Sequence, residues 1–150
     1  MNRFTWTLLY VFVFLTGAAG LIYQVVWQQY LARILGSEHA ATAIVLAVFL
    51  GGLATGYFIA GALSRYVRNS FATYAVLEGI IGLWALLFPW LFGGVDSLTA
   101  RWSFAPPWIL IMEGSVTAAV LIGLPTICMG GTVPLLTRAL SESVEAATSS

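Results

Sequence analysis

The chain has 150 residues, of which 60% are hydrophobic and 8% charged, and its six basic and six acidic residues cancel. An ordinary soluble domain carries about 25% charged residues. With a mean hydropathy of +0.94, this chain lacks the polar surface to live in water and belongs in a membrane. All six basic residues are Arg, which excludes a nucleic-acid-binding basic stripe. The single Cys128 excludes an internal disulfide framework and a Cys-based zinc site.

Four apolar runs follow one another: Phe4 to about Trp27, Ala40 to Leu63, Phe71 to about Val95, and Pro107 to about Leu136. Each is long enough to cross about 30 Å of hydrocarbon as a helix. The runs are continuous rather than alternating, so helices are expected and a β-barrel is not. The fold class expected is therefore an all-α integral membrane protein with four transmembrane helices. Residues 1–140 form one membrane domain and Ser141 to Ser150 a polar cytoplasmic tail. Ser37, and Asn69 or Ser70, can cap the second and third helices, and Pro107 suits a first helical position. Thr16-Gly17-Ala18-Ala19 would pass as a signal cleavage site. Hydrophobicity resumes at once through Leu21 to Trp27, so a retained first span is expected.

Orientation follows from Arg. Arg3, Arg65, Arg68 and Arg138 fall on one side of a four-span topology, Arg33 and Arg101 on the other, which places both termini in the cytoplasm by the positive-inside rule. Trp27 and Tyr30 are expected to anchor the first span at the interface. Trp90, Trp102 and Trp108 would bracket the second outer loop.

An ionised carboxylate in hydrocarbon costs about 2.5–3.5 kcal/mol even on the gentle insertion scale, which singles out Glu78 and Glu113. Glu78 enters from the cytoplasmic end of the third helix and Glu113 from the outer end of the fourth, so they fall in opposite leaflets and do not pair. Either they bind and release a proton or cation along a pathway, or each is satisfied by a neighbouring Arg, Tyr or Gln or snorkels towards its nearer interface. Arg33 is the candidate partner of Glu113. The first helix carries an amide and glycine face of Gly17, Gly20, Gln24 and Gln28, with Tyr23 and Gln29 beside it. Such a face points at another helix or a watery cavity. Gly52 and Gly56 have the GxxxG spacing of a helix-packing seam. Pro125, Gly130, Gly131 and Pro134 predict a kink or unwound stretch near Thr126 to Thr132, the kind of break at which transporters build binding sites. His39 beside Glu38 is expected to be solvated. No metal-ligand spacing, phosphate loop or Ser-His-Asp set is present, and no cofactor is expected.

Four stretches together resemble a known family. Gly17-Ala18-Ala19-Gly20-Leu21-Ile22-Tyr23-Gln24-Val25-Val26-Trp27 is similar to the opening helix of the bacterial fused major-facilitator and spermidine synthase proteins. Phe49-Leu50-Gly51-Gly52-Leu53-Ala54-Thr55-Gly56 resembles their second helix. Leu77-Glu78-Gly79-Ile80-Ile81-Gly82-Leu83-Trp84-Ala85 resembles the third, and Met129-Gly130-Gly131-Thr132-Val133-Pro134-Leu135-Leu136 the fourth. The resemblance implies the N-terminal membrane part of such a protein, in the bacterial inner membrane. The family's cytoplasmic aminopropyltransferase domain has no counterpart here, so no enzyme activity is expected. The loop Gly61-Ala62-Leu63-Ser64-Arg65-Tyr66-Val67-Arg68 resembles the family's major-facilitator loop, but Arg65 stands where the family usually has Asp. Gln24 stands where relatives often have Glu.

Three functions follow as expectations. The first is a non-catalytic subunit of a larger membrane assembly, packed against other membrane subunits or further copies of itself, in contact with lipid and not with nucleic acid. The second is a transport-type module for polyamines or another small solute, built on Glu78, Glu113, the amide face and the helix break. The third is a membrane anchor for an aminopropyltransferase.

Overall fold

A computed structural model describes residues 3–99 and 106–148. They form four helices, α1 (Arg3–Leu35), α2 (Glu38–Ser64), α3 (Ser70–Thr99) and α4 (Pro107–Thr148), with no strand among the described residues. Each holds a segment long and apolar enough to cross a membrane. The protein is thus an all-helical, multi-pass membrane protein. Arg101 and Trp102, which bear on the orientation and on the second outer loop, lie outside the described residues.

Local chemistry sets the helix ends. Gly36 closes α1 with φ +63° and donates its N–H to the Ala32 carbonyl at 2.9 Å, a left-handed position that suits glycine. The Ser37 hydroxyl then accepts from the Ala40 N–H at 3.4 Å to cap α2. Asn69 caps α3, its side-chain oxygen accepting from the Ala72 N–H at 3.0 Å. Ser70 does something else. It is buried, and its hydroxyl reaches the Glu142 carboxylate at 3.3–3.4 Å, tying the start of α3 to the far end of α4.

Two of the expected boundaries move. α1 continues through Leu35, and Trp27 is 2% exposed at the centre of the core, so it is not an interfacial anchor. Trp27 packs against Tyr23, Phe49 and Phe88, and Tyr30 meets Phe88 and Phe92 edge-on. These rings have neighbours on α2 and α3, and burying them there is worth more than a place at the headgroups. Trp90 and Trp108 are exposed, as interfacial rings would be. α4 likewise runs past Leu136 to Thr148, so the expected tail is helical over most of its length.

α4 is the central element: 44% of its most apolar window is buried, against 11% for α1. α2 packs on it most closely, α3 flanks it, and α1 leans chiefly on α2 and touches α3 little. The α2–α4 crossing is close because glycines from both helices meet there. A Cβ on Gly52 would collide with the Thr126 side chain, and one on Gly56 with the Ile127 carbonyl. From the other side, a Cβ on Gly130 would collide with the Leu53 carbonyl. The Gly52–Gly56 seam expected from spacing is present, and Gly130 belongs to its opposite wall.

The unwound stretch is absent. α4 is one α-helix from Pro107 to Thr148, with Pro125 and Pro134 inside it. Pro125 removes the N–H that would bond to the Leu121 carbonyl, and the Trp84 indole N–H of α3 donates to that carbonyl at 2.8 Å. The Thr126 hydroxyl lies 2.9 Å from both the Ile122 and Gly123 carbonyls, and Thr132 donates to Met129 at 2.6 Å. At Pro125 the Trp84 side chain thus replaces what the proline takes from the ladder, and the helix continues through it, as hydrocarbon surroundings require. α3 also contains an internal proline, Pro89, which the apolar pattern alone does not flag.

Candidate functional site: a cleft with one carboxylate

Glu78 does line a cavity. A cleft of about 500 Å³ is walled by all four helices. α1 supplies Thr16, Gly17, Gly20 and Tyr23; α2 supplies Phe49 and Leu53. Tyr74, Glu78 and Ile81 come from α3, and Met129, Thr132 and Thr137 from α4. The space exists because α1 and α3 approach each other little while both pack onto the α2–α4 pair. Glycines and an alanine at positions 17, 19 and 20 leave the middle of the α1 wall without bulk.

The polar groups concentrate on one side. Tyr74 and Glu78 are four residues apart on α3 and therefore share a face; the Tyr74 phenol lies near the Glu78 carboxylate and the Thr16 side chain of α1. Thr16 in turn donates to the Val13 carbonyl at 3.1 Å. Glu78 is half-buried and is the one charged residue among the described cleft walls. No basic side chain lies within ion-pair distance of it among the described residues, whose one ion pair is Arg138–Glu142 at 2.6 Å. Of the neighbour types expected beside Glu78, a tyrosine, Tyr74, is the one the cleft places near it.

The other candidates lie elsewhere. Glu113 sits in a shallow groove of α4 with Ile109, Met112, Val116 and Thr117, at the far end from Glu78, so the two carboxylates are not brought together. Arg33 does not pair with Glu113; its guanidinium lies over the Tyr30 ring at 5.4 Å, where a cation is held by the ring face. Gln28 donates to the Thr42 hydroxyl at 2.6 Å, joining α1 to α2. Gln24 is half-buried and does not line the cleft. Of the expected amide face only Gly17, Gly20 and Tyr23 reach the cavity. Pro125, Gly130, Gly131 and Pro134 are absent from its walls, although their neighbours Met129, Thr132 and Val133 line it, from a stretch of α4 that stays helical.

Sequence reasoning does not single out Tyr74 or Thr16. The Tyr74–Glu78 spacing is a readable signal; Thr16 carries none. His39 is exposed. Among the described residues no three His, Cys, Asp or Glu side chains converge as a metal site would need. The arrangement can hold a positive charge on a carboxylate within an apolar, aromatic-walled space. No family model, curated protein or solved structure matches the chain.

Proposed function

We propose that the chain is a non-catalytic, transport-type membrane module that binds a small solute in its four-walled cleft and works within a larger membrane assembly. The observation that carries this reading is the cleft itself: about 500 Å³ of space shared by all four helices, with Glu78 as its charged wall residue. That volume lies in the ordinary range for small-molecule sites, and an intramembrane carboxylate facing a cavity is a functional feature by default. The larger assembly is supported by α1, whose apolar window is only 11% buried, and by the cleft's walls, which four helices leave partly open. The bacterial inner membrane, with both termini in the cytoplasm, is the location the Arg distribution and the family resemblance favour. A relation to transporter–synthase proteins rests on the four stretches of α1 to α4 that resemble them.

Native mass spectrometry of the tagged protein, extracted in mild detergent from its own membrane, tests this reading. The expected result is an assembly with further membrane helices, with a co-extracted small molecule present in the wild type and lost in Glu78→Gln. A lone chain that is empty in both proteins would overturn it.

A further inference from the structure

Resting on that cleft reading, we infer that the ligand is an organic monocation with an apolar, ring-sized body, an aryl- or alkylammonium, and not a polyvalent amine. Three features of the cleft carry this. Its charge inventory is one carboxylate, Glu78, with no basic side chain in ion-pair reach among the described residues. One positive charge neutralises it. Every further ammonium on the same molecule would enter an apolar space without a partner, which is strongly unfavourable.

The second feature is the aromatic content. Tyr23, Phe49 and Tyr74 line the same space from three different helices, and ring faces grouped around a cavity favour ammonium ions as well as apolar carbon. The third is the polarity of the remaining wall. Beyond Glu78, the polar wall residues are the hydroxyl side chains Thr16, Tyr23, Tyr74, Thr132 and Thr137, and the rest is apolar or glycine. An ammonium N–H can reach Glu78, with the Tyr74 phenol and the Thr16 side chain as its polar neighbours. The ligand's body is then received by Leu53, Ile81 and Met129.

Isothermal titration of the purified chain in nanodiscs, against empty nanodiscs as the blank, separates the classes. The probes are 4-phenylbutylammonium, the neutral 4-phenylbutanol and spermidine. The monocation is expected to bind more tightly than either of the others, and Glu78→Gln to weaken it about tenfold or more, as loss of a charge-assisted contact does. Tyr74→Phe keeps the carboxylate and the ring while removing the phenol near Glu78, so it should bind the monocation at least as tightly as the wild type. It also serves as the informative variant should Glu78→Gln fail to fold. Equal binding of the alcohol, or no effect of Glu78→Gln, would overturn the cation assignment while leaving a cleft for apolar solutes. Tighter binding of spermidine would overturn the monovalent assignment. No binding of any probe would overturn the inference, and the solute-binding reading would still be judged by what co-extracts from the native membrane.

Discussion

At Pro125 a single proline and a single tryptophan from another helix act as one unit. The Leu121 carbonyl loses its helical donor to the pyrrolidine ring, and the Trp84 indole takes its place at 2.8 Å. A buried carbonyl left without a partner is costly in water-free surroundings, so Trp84→Phe should destabilise the protein although it keeps most of the ring. Coupling energies for side-chain hydrogen bonds in membrane proteins average below about 1 kcal/mol and reach about 1.7 kcal/mol, which sets the expected size at about 1 kcal/mol. In a Pro125→Ala background the backbone N–H returns, and the same Trp84→Phe change should cost little. A denaturant titration of the four proteins in a double-mutant cycle measures the difference. Additive losses would mean that the indole and the proline are not coupled. Trp84 can be seen in the sequence only as one more aromatic in an apolar run. Its role depends on which turn of α3 faces Leu121, and a linear pattern holds no such information.

Among the helices, the decisive contact is the seam between α2 and α4. Gly52 and Gly56 can be marked by their spacing, because GxxxG removes side chains from one stripe whatever the partner. The partner cannot be read. Gly130, grouped by sequence with Pro125 and Pro134 as a break, instead brings α4 against the Leu53 carbonyl, and Gly56 faces the Ile127 carbonyl in return. Backbones this close place glycine Cα–H groups against carbonyl oxygens. A large side chain on this line must push the helices apart. Gly56→Leu should therefore destabilise the fold by about 1–3 kcal/mol or prevent it, as overpacking of a rigid contact does. Gly51, one residue from the seam, is exposed, and a methyl group added there would meet nothing within 4 Å. Gly51→Leu should leave stability unchanged or raise it slightly through helix propensity. Retained fluorescence-detected chromatography peaks and denaturation midpoints compare the two; equal effects would show that the seam is not the tight element. Gly114 is a graded case, since its neighbour is the flexible end of Leu35 and Gly114→Ala should be tolerated.

Over the whole molecule, the two ends of the bundle differ. Trp27, Leu31, Val45, Phe88, Phe92 and Ala118 fill one half as a packed core. The cleft occupies the other half, toward the end where Ser70 meets Glu142 and where Arg65, Arg68 and Arg138 lie. Four spans and their order are legible because apolar length is a local property, and Glu78 stands out because a charge in hydrocarbon is costly wherever it lies. The cleft is not legible, since it arises from α1 and α3 standing apart, a fact about packing between helices far apart in sequence. The asymmetry makes a directional prediction when joined to the Arg distribution. In a Cys128→Ala background, Thr132→Cys on the cleft wall should react with a membrane-impermeant thiol reagent in inside-out vesicles and not in right-side-out ones. Ala118→Cys, at a position 1% exposed in the core, should react in neither. Labelling of Thr132→Cys from the outer face alone would reverse the orientation and make the cleft an outward-facing vestibule. Labelling from neither face would mean that lipid fills the cleft mouth, leaving a solute to arrive through the bilayer, a route open only to the apolar-bodied class of ligand and closed to a polyvalent one.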